Sequence, residues 1–217
     1  MQTLTEKIFR LAPPGGLFDE TAVRNFFPDR PEAARKVLAH RAFAAGEIIR
    51  LKPGLFLLVP EFRKSHPHPF VIASLLHSPS HISLESALAH HGLIPEAVRE
   101  VASVTPVRSR AFTTPVGVFS FTRVPATNPR AGVRAHKIDG RSWVFIASPA
   151  RAIADLIYAR REVSWERDGA AFLTDSMRIE RGDLETIPRG DLEDVSHDLR
   201  DRRTAKYLRE LSRELGK

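Results

Sequence analysis

The chain has 217 residues, of which 42% are hydrophobic and 27% are charged, and it contains no cysteine. This composition is typical of a globular protein that is long enough to bury a core. It argues against a disordered chain and excludes disulfides, a thiolate nucleophile and a cysteine zinc site.

The net charge of +7 is unevenly distributed. Lys and Arg outnumber Asp and Glu by 11 to 7 in residues 1–64 and by 8 to 4 in residues 65–147, whereas residues 148–217 carry 14 against 15. A nucleic-acid-binding protein would have this distribution, and so would a generic basic surface. The longest apolar runs are too short to cross a bilayer, and the N-terminal segment lacks the apolar region of a signal peptide. We therefore expect a cytoplasmic protein without a membrane partner.

The first 30 residues predict two short helices. Three apolar residues recur at helical spacing in the first of them: Leu4, Ile8 and Leu11. The stretch Pro13–Gly16 would end that helix. Asp19 is a candidate N-cap for the second helix, which Pro28 would stop.

A third helix, rich in alanine, is predicted between Pro31 and Gly46. Asp29 or Arg30 would cap it, Pro31 would lie in its first turn, and Gly46 would close it. Three residues would form much of its packed side: Val37, Leu38 and Ala42.

A β-hairpin follows, with strands Ile48–Leu51 and Leu55–Val59 joined by the turn Lys52–Gly54. Three helices followed by a hairpin is the element order of a winged helix-turn-helix. We therefore predict a DNA-binding domain of this type over residues 1–64.

In such a domain the third helix enters the major groove and the hairpin lies beside the phosphates. The candidate DNA-binding residues are the basic side chains of these two elements: Arg30, Arg35, Lys36, His40 and Arg41 on the helix, and Arg50 and Lys52 on the hairpin. The alternative is a solvated helix that happens to be basic.

The segment His66–His91 holds six of the nine histidines and resembles a metal site at first sight. Its local pattern argues against one. Ser78–Ser80 interrupts a first helix, Ser83 would cap a second, and the adjacent His90 and His91 would point about 100° apart. We therefore expect no metal site and no other cofactor.

Residues 101–147 have the β-branched and aromatic composition of strands. Glu100–Pro106 and Arg141–Ser148 are two of them, and Thr113–Gly117 is the turn of a hairpin. Six basic residues fall in this region: Arg108, Arg110, Arg123, Arg130, Arg134 and Lys137. They could extend a DNA surface, meet an acidic partner or cover a solvated strand face.

Residues 148–217 are predicted to be helical, with Ser148 capping a helix that has Pro149 at its first position. The last helix carries charges of both signs, which is typical of a helix facing solvent or a partner. The predicted fold class is thus α+β. An N-terminal winged helix-turn-helix precedes a larger mixed α/β domain with a helical C-terminus, residues 65–217.

No enzyme motif is found. The phosphate-binding pattern GxxxxGK[ST], the nucleophile turn GxSxG and the zinc motif HExxH are all absent from the sequence. Asp139 ahead of a strand suggests a restriction-type nuclease, but the strand Arg141–Ser148 has neither the second acid nor the lysine of that chemistry. We therefore expect a protein that is not an enzyme.

Three segments carry a resemblance to a known family: "ISLESALAHHGLIPE" (Ile82–Glu96), "SVTPVRSRAFTTPVGVFSFTRV" (Ser103–Val124) and "IASPARAIADLIY" (Ile146–Tyr158). With the predicted winged helix, they resemble the AbiEi antitoxins of type IV toxin–antitoxin systems. The stretch Asp175–Pro188 resembles the helical C-terminal region of that family. His81 and His90 depart from it, since the family often has aromatic residues there, and we expect both to be exposed or half-buried.

The resemblance implies an antitoxin with two activities. The N-terminal domain would repress its own operon at inverted repeats in the operator. The C-terminal domain would counter an AbiEii-type nucleotidyltransferase toxin, without requiring a stable complex. A winged-helix regulator without a toxin and a DNA-targeted nuclease are the alternatives.

Overall fold

The computed structural model describes residues 3–11, 13–95, 100–138, 140 and 142–216. Over these residues the protein is a mixed α+β structure with helices at both ends of the chain. Its strands form one sheet of three strands and one of six. None of the described helices has both the length and the apolar character that a membrane crossing requires.

The N-terminal part consists of six short elements: α1 (Leu4–Leu11), β1 (Leu17–Asp19), α2 (Glu20–Phe26), α3 (Glu32–Ala44), β2 (Ile48–Lys52) and β3 (Leu55–Leu58). The three predicted helices and the hairpin are confirmed. Strand β1 was not predicted, because three residues are too few to show an alternating pattern. It pairs antiparallel with β3, so the sheet order is β1–β3–β2.

Local interactions explain where these elements begin and end. The Asp19 carboxylate accepts a 2.7 Å hydrogen bond from the backbone N–H of Ala22, which confirms the predicted cap of α2. Helix α3 begins one residue later than expected: Pro31 occupies its N-cap position, so neither Asp29 nor Arg30 caps it. Gly46 follows α3 with a φ of +70°, the left-handed conformation that ends many helices.

Two hydrophobic cores meet at the three-stranded sheet. The N-terminal core is built by apolar residues of all three helices and the sheet: Leu4, Ile8, Phe18, Val23, Phe27, Leu38, Ala42, Ile48 and Leu58. Side chains alternate along β3, so Phe56 and Leu58 pack against this core while Leu55 and Leu57 belong to the larger core that follows. The N-terminal part therefore shares buried apolar surface with the rest of the protein.

The middle of the chain forms α4 (Pro69–Leu76), β4 (His81–Ile82), α5 (Leu84–His90), β5 (Glu100–Thr105), β6 (Arg110–Thr114), β7 (Gly117–Arg123), β8 (Val133–Ile138) and β9 (Ser142–Ala147). The sheet order is β6–β7–β5–β4–β9–β8, with parallel pairs at β5–β7 and β4–β9. The predicted hairpin turn is confirmed between β6 and β7. Strands β4 and β8 were not predicted.

The C-terminal part is helical: α6 (Pro149–Ala159), α7 (Trp165–Asp168), a π-helical turn (Phe172–Ser176), α8 (Arg181–Glu185), α9 (Arg189–Asp198) and α10 (Arg202–Glu214). The Ser148 hydroxyl accepts from the backbone N–H of Arg151, which confirms the predicted cap of α6. Helix α10 is more buried than its charges suggested. Its apolar stripe, which includes Tyr207, Leu208 and Leu211, is fully buried in the larger core.

Candidate nucleic-acid interface

Helix α3 turns one side to the N-terminal core and leaves most of its other side chains in solvent. Leu38 and Ala42 are buried, as predicted. Val37 is 46% exposed, so the prediction that it lies on the packed side is wrong. Neighbouring residues of an α-helix point about 100° apart. Because Leu38 and Ala42 define the buried side of α3, the side chain of Val37 is turned away from it. An apolar side chain is thereby presented to solvent among the basic residues of the helix.

A groove of about 460 Å³ lies between α2, α3 and the β2–β3 hairpin. Four of the seven predicted DNA-binding residues line it: Arg35, Lys36, His40 and Arg50. The side chains of Lys36 and His40 share it because they are one helical turn apart. Arg50 reaches the groove from β2. The groove therefore joins the helix and the hairpin into one concave surface.

The charges around the groove are mixed, with a basic excess. Four Lys or Arg residues and two Glu residues line it, a formal excess of +2. Sequence reasoning missed the acids Glu20 and Glu32, and it missed Arg24 because α2 was considered only as a scaffold. Phe43, also a lining residue, is half-exposed and adds an apolar ring.

Lys36 is paired with an acid of its own helix. Its Nζ lies 2.5 Å from a carboxylate oxygen of Glu32, and both side chains are about two-thirds exposed. The hydrogen bond to Glu32, followed by the Glu32 charge, raises the pKa of Lys36. The same contact lowers the pKa of Glu32. Because the pair is exposed to water, another anion such as a phosphate can replace the carboxylate.

The other three predicted residues lie outside the groove lining. Arg30 precedes α3, and its guanidinium lies 5.6 Å from the centre of the Phe27 ring. Arg41 is an exposed residue on another part of the α3 surface. The predicted interface therefore divides into four residues that the structure brings together and three that it does not.

Lys52 has a different environment from the one expected. Its Nζ donates to the carbonyl oxygens of Leu75 and Leu76, at 2.8 Å each, in the last turn of α4. A cation at a helix C-terminus neutralises carbonyl groups that lack helical partners. Burial, followed by the nearby charge of Arg110, lowers the pKa of this lysine. The ammonium is thus occupied within the protein, and we leave Lys52 out of the candidate interface.

Comparison with known proteins gives no family for the chain. No family model matches it, and no curated protein matches it significantly. The groove and the sequence motifs are therefore the features of the chain that point to a function.

The histidines are distributed over several elements. The rings of His90, His91 and His136 lie near one another, with centroids 5.3–6.0 Å apart. Burial, followed by the charge of His91, lowers the pKa of His90 and of His136. Within the described part of the chain, no group of three or more His, Asp or Glu residues is placed to hold a metal ion.

His81 is buried, contrary to the expectation of an exposed or half-buried residue, and belongs to a polar network. Its Nε2 lies 3.4 Å from Oδ2 of Asp155, which also accepts a 2.7 Å hydrogen bond from Ser83. Arg151 Nε donates to Asp155 Oδ1 at 2.9 Å. Ser83 occupies the predicted N-cap position of α5, but its hydroxyl donates to Asp155 and makes no cap hydrogen bond.

The network is sealed from solvent. Arg151 is 1% exposed and Asp155 is fully buried. Arg151 also donates to the carbonyl of Ala131, in the turn that leads into β8. A Cβ on the next residue, Gly132, would lie 2.8 Å from Cβ of Arg151, so the turn can close over the network only with glycine there. Burial alone would raise the pKa of Asp155, but Arg151, His81 and Ser83 together lower it.

Proposed function

We propose that residues 1–64 form a winged helix-turn-helix that binds double-stranded DNA, with α3 in the major groove and the β2–β3 hairpin as the wing. Two features support this. The elements follow the order helix, strand, helix, helix, strand, strand, and β1 closes the sheet against β3. The helix and hairpin that would contact DNA also form the two sides of the basic groove.

The groove is the observation that carries the proposal. Arg35, Lys36 and His40 extend from α3, where base edges would be read, and Arg50 extends from the hairpin, where phosphates would lie. Val37 is exposed on α3 but lies outside the groove lining, so it is not counted among the contacts. The combination of base-edge contacts from α3 and a phosphate contact from the hairpin favours sequence-specific binding over non-specific attraction to phosphates.

The proposed biological role is that of an antitoxin that represses its own operon. It is supported by the resemblance of the motifs in residues 82–96, 103–124 and 146–158 to AbiEi antitoxins. The N-terminal domain would bind inverted repeats in the operator, in the cytoplasm. Residues 65–217 would counter a nucleotidyltransferase toxin without catalysing a reaction. A stand-alone winged-helix regulator is the second candidate, since the groove supports it equally.

Binding to the protein's own upstream DNA tests the first part. The full chain should shift this fragment more than a scrambled duplex at about 0.15 M salt, where non-specific binding is weak. Lys36→Ala should erode this preference by roughly five- to 150-fold if the side chain reads a base edge. Arg50→Ala should weaken binding to both duplexes and lower the salt slope by about 0.9.

Arg41→Ala is the matched control, because it removes one positive charge from α3 outside the groove lining. It should change the preference much less than Lys36→Ala does. Equal shifts of the two duplexes by the wild type, or equal losses from Lys36→Ala and Arg41→Ala, would contradict the proposal.

Protection of cells from an AbiEii-type nucleotidyltransferase toxin distinguishes the antitoxin from the stand-alone regulator. The Lys36→Ala, Arg50→Ala double variant should still protect, because the motifs of the antitoxin part are intact. The full chain is needed for this test, since Leu55 and Leu57 belong to the larger core and a truncation at residue 64 would expose it. Failure of the wild type to protect would favour the regulator.

A further inference from the structure

Two aromatic rings are exposed side by side on strand β9. Trp143 is 64% exposed and Phe145 is 49% exposed. They lie two residues apart, on the same face of the strand, whereas Val144 and Ile146 on the opposite face are almost completely buried. The core therefore accounts for only one face of β9, and the aromatic face remains exposed.

The neighbouring edge strand β8 adds a cation and leaves room above the rings. Lys137 lies directly opposite Trp143, and Ala135 lies opposite Phe145, so both share the aromatic face. Residues opposite each other in a sheet have Cβ atoms about 5 Å apart, within reach of a lysine side chain. The small Ala135 leaves the Phe145 ring open on that side.

Arg130 supplies a second cation. Its guanidinium lies 5.8 Å from the centre of the Phe145 ring. The face thus combines two flat apolar rings with two positive charges, one of which lies over the Phe145 ring. A base that stacks on Phe145 takes the place of the guanidinium, which leaves Arg130 to pair with the adjoining phosphate.

The two rings and the two cations together indicate which kind of ligand would bind. Nucleobases stack on aromatic side chains, and the phosphates between them pair with Lys and Arg. A DNA duplex keeps its bases stacked inside and offers no ring face to Trp143 or Phe145. A second copy of the chain, placed on this face by twofold symmetry, would bring four positive charges into one interface, because each copy contributes Lys137 and Arg130, and the four residues of the face include no acid to offset them.

We propose that the face formed by Trp143, Phe145, Lys137 and Arg130 binds single-stranded nucleic acid, with bases stacked on the two rings and phosphates paired with the two cations. This site is separate from the α3 groove, which would hold double-stranded DNA. Because every base has a flat face, the site tolerates many sequences.

Oligouridylate and oligothymidylate strands of about 12 nucleotides, matched to the usual length of such sites, are the probes. The wild type should bind single strands, with quenching of its tryptophan fluorescence, and the two probes show whether RNA or DNA is preferred. Trp143→Ala and Phe145→Ala should each weaken binding roughly five- to 150-fold. Lys137→Ala should lower the salt slope by about 0.7, the value for one phosphate of a single strand.

Three variants serve as controls. Trp143→Phe keeps a ring and should retain most of the affinity. Phe62→Ala removes another exposed aromatic ring and should have no effect. Arg41→Ala removes an exposed positive charge outside both sites and should also leave single-strand binding unchanged, which separates a local effect from one of total charge.

The proposal is overturned if the wild type binds neither probe, or if tryptophan quenching is absent at saturation. It is also overturned if Trp143→Ala binds as tightly as Phe62→Ala, since charge alone would then explain the affinity. A wild-type dimer in light scattering that Trp143→Ala dissolves, with no binding of either probe, would assign the face to a second copy instead. Trp165 is the second tryptophan of the chain, so the quenching is assigned to Trp143 only if Trp143→Phe, which keeps Trp165, binds without it. Quenching that persists in Trp143→Phe would overturn the proposal even if the alanine variants fail to fold.

Discussion

The α3 groove and the Arg151–Asp155 network are both built from charged side chains, but the environments of these charges differ. Around the groove Lys36 lies in water with only an exposed neighbour, Glu32, as its partner, whereas Arg35 is half-buried and donates to the carbonyl oxygen of Arg30. In the network, by contrast, Arg151 and Asp155 are almost fully buried and bound to each other at 2.9 Å.

The difference follows from the cost of removing a charge from water. A buried charge is tolerated only when it is paired and hydrogen-bonded, so its partners are fixed by folding. Charges that remain hydrated are free to exchange partners, which is what binding requires. The groove is therefore suited to recognition and the network to holding α6 against β4 and the turn before β8.

The largest expected effect is the loss of the buried charge pair. Asp155→Ala should lower the free energy of unfolding by about 3–5 kcal/mol, because Arg151 would be left buried without its counterion. Urea unfolding followed by circular dichroism measures this change. The same variant should keep the proposed preference for operator DNA under conditions where it is folded.

Asp155→Asn is the matched control, since it keeps the shape of the side chain and removes the charge. It should cost nearly as much stability as Asp155→Ala. If the Asn variant is as stable as the wild type, the network is held by shape and hydrogen bonds and the charge is unimportant. A loss of operator preference in a fully folded Asp155 variant would instead tie the network to DNA binding.

Acid should weaken the same network. The pKa of Asp155 is lowered in the folded protein, so the carboxylate contributes stability above its unfolded pKa of about 3.9. This contribution is lost as the pH falls from that value through the lower folded pKa. Between pH 5 and pH 2 the wild type should therefore lose more stability than Asp155→Asn, as shown by melting curves at each pH. Parallel losses in the two proteins would contradict the assignment.

The N-terminal elements could be predicted because their signals are local. Asp19 as a cap, Gly46 after α3 and the hairpin turn at Gly54 all act within a few residues. Strand β1 could not be predicted, since its three residues become a strand only by pairing with β3, about 40 residues later. Val37 was misplaced for a related reason. The sequence does not reveal how wide the packed side of α3 is.

The network was missed because its members come from distant segments. His81 and Ser83 meet Asp155 across more than 70 residues. One signal was present: Arg151 and Asp155 are one helical turn apart within an otherwise apolar helix, where charged residues are expected to pair. The residues of the groove could be predicted only in part. Its residue types follow from sequence, but the position of Lys52 depends on how α4 packs against the hairpin.

The variant Lys52→Met tests the difference between a cation that is exposed to solvent and one that is hydrogen-bonded within the protein. The change keeps most of the side-chain length and removes the ammonium from the last turn of α4, so stability should fall by about 1 kcal/mol. The salt slope of operator binding should stay the same. Arg50→Ala is the counterpart, with a lower salt slope and little change in stability. A lower slope for Lys52→Met would return this lysine to the DNA interface.

The smallest expected effect concerns the acid beside Lys36. Glu32→Gln should increase operator affinity about twofold to tenfold at low salt, because it removes a negative charge from the groove and frees Lys36 for a phosphate. The melting temperature should hardly change, since exposed ion pairs contribute little to stability. Fluorescence anisotropy with a labelled operator measures the affinity.

Glu61→Gln is the control for this change. It raises the net charge by the same single unit, but Glu61 lies in the short turn Pro60–Phe62, outside the groove lining. If binding depends on charge at the groove, Glu32→Gln should increase affinity clearly more than Glu61→Gln, and the difference should shrink as salt screens the charges. Equal increases would mean that DNA responds to the total charge of the protein. The α3 groove would then not be the place where charge controls DNA affinity.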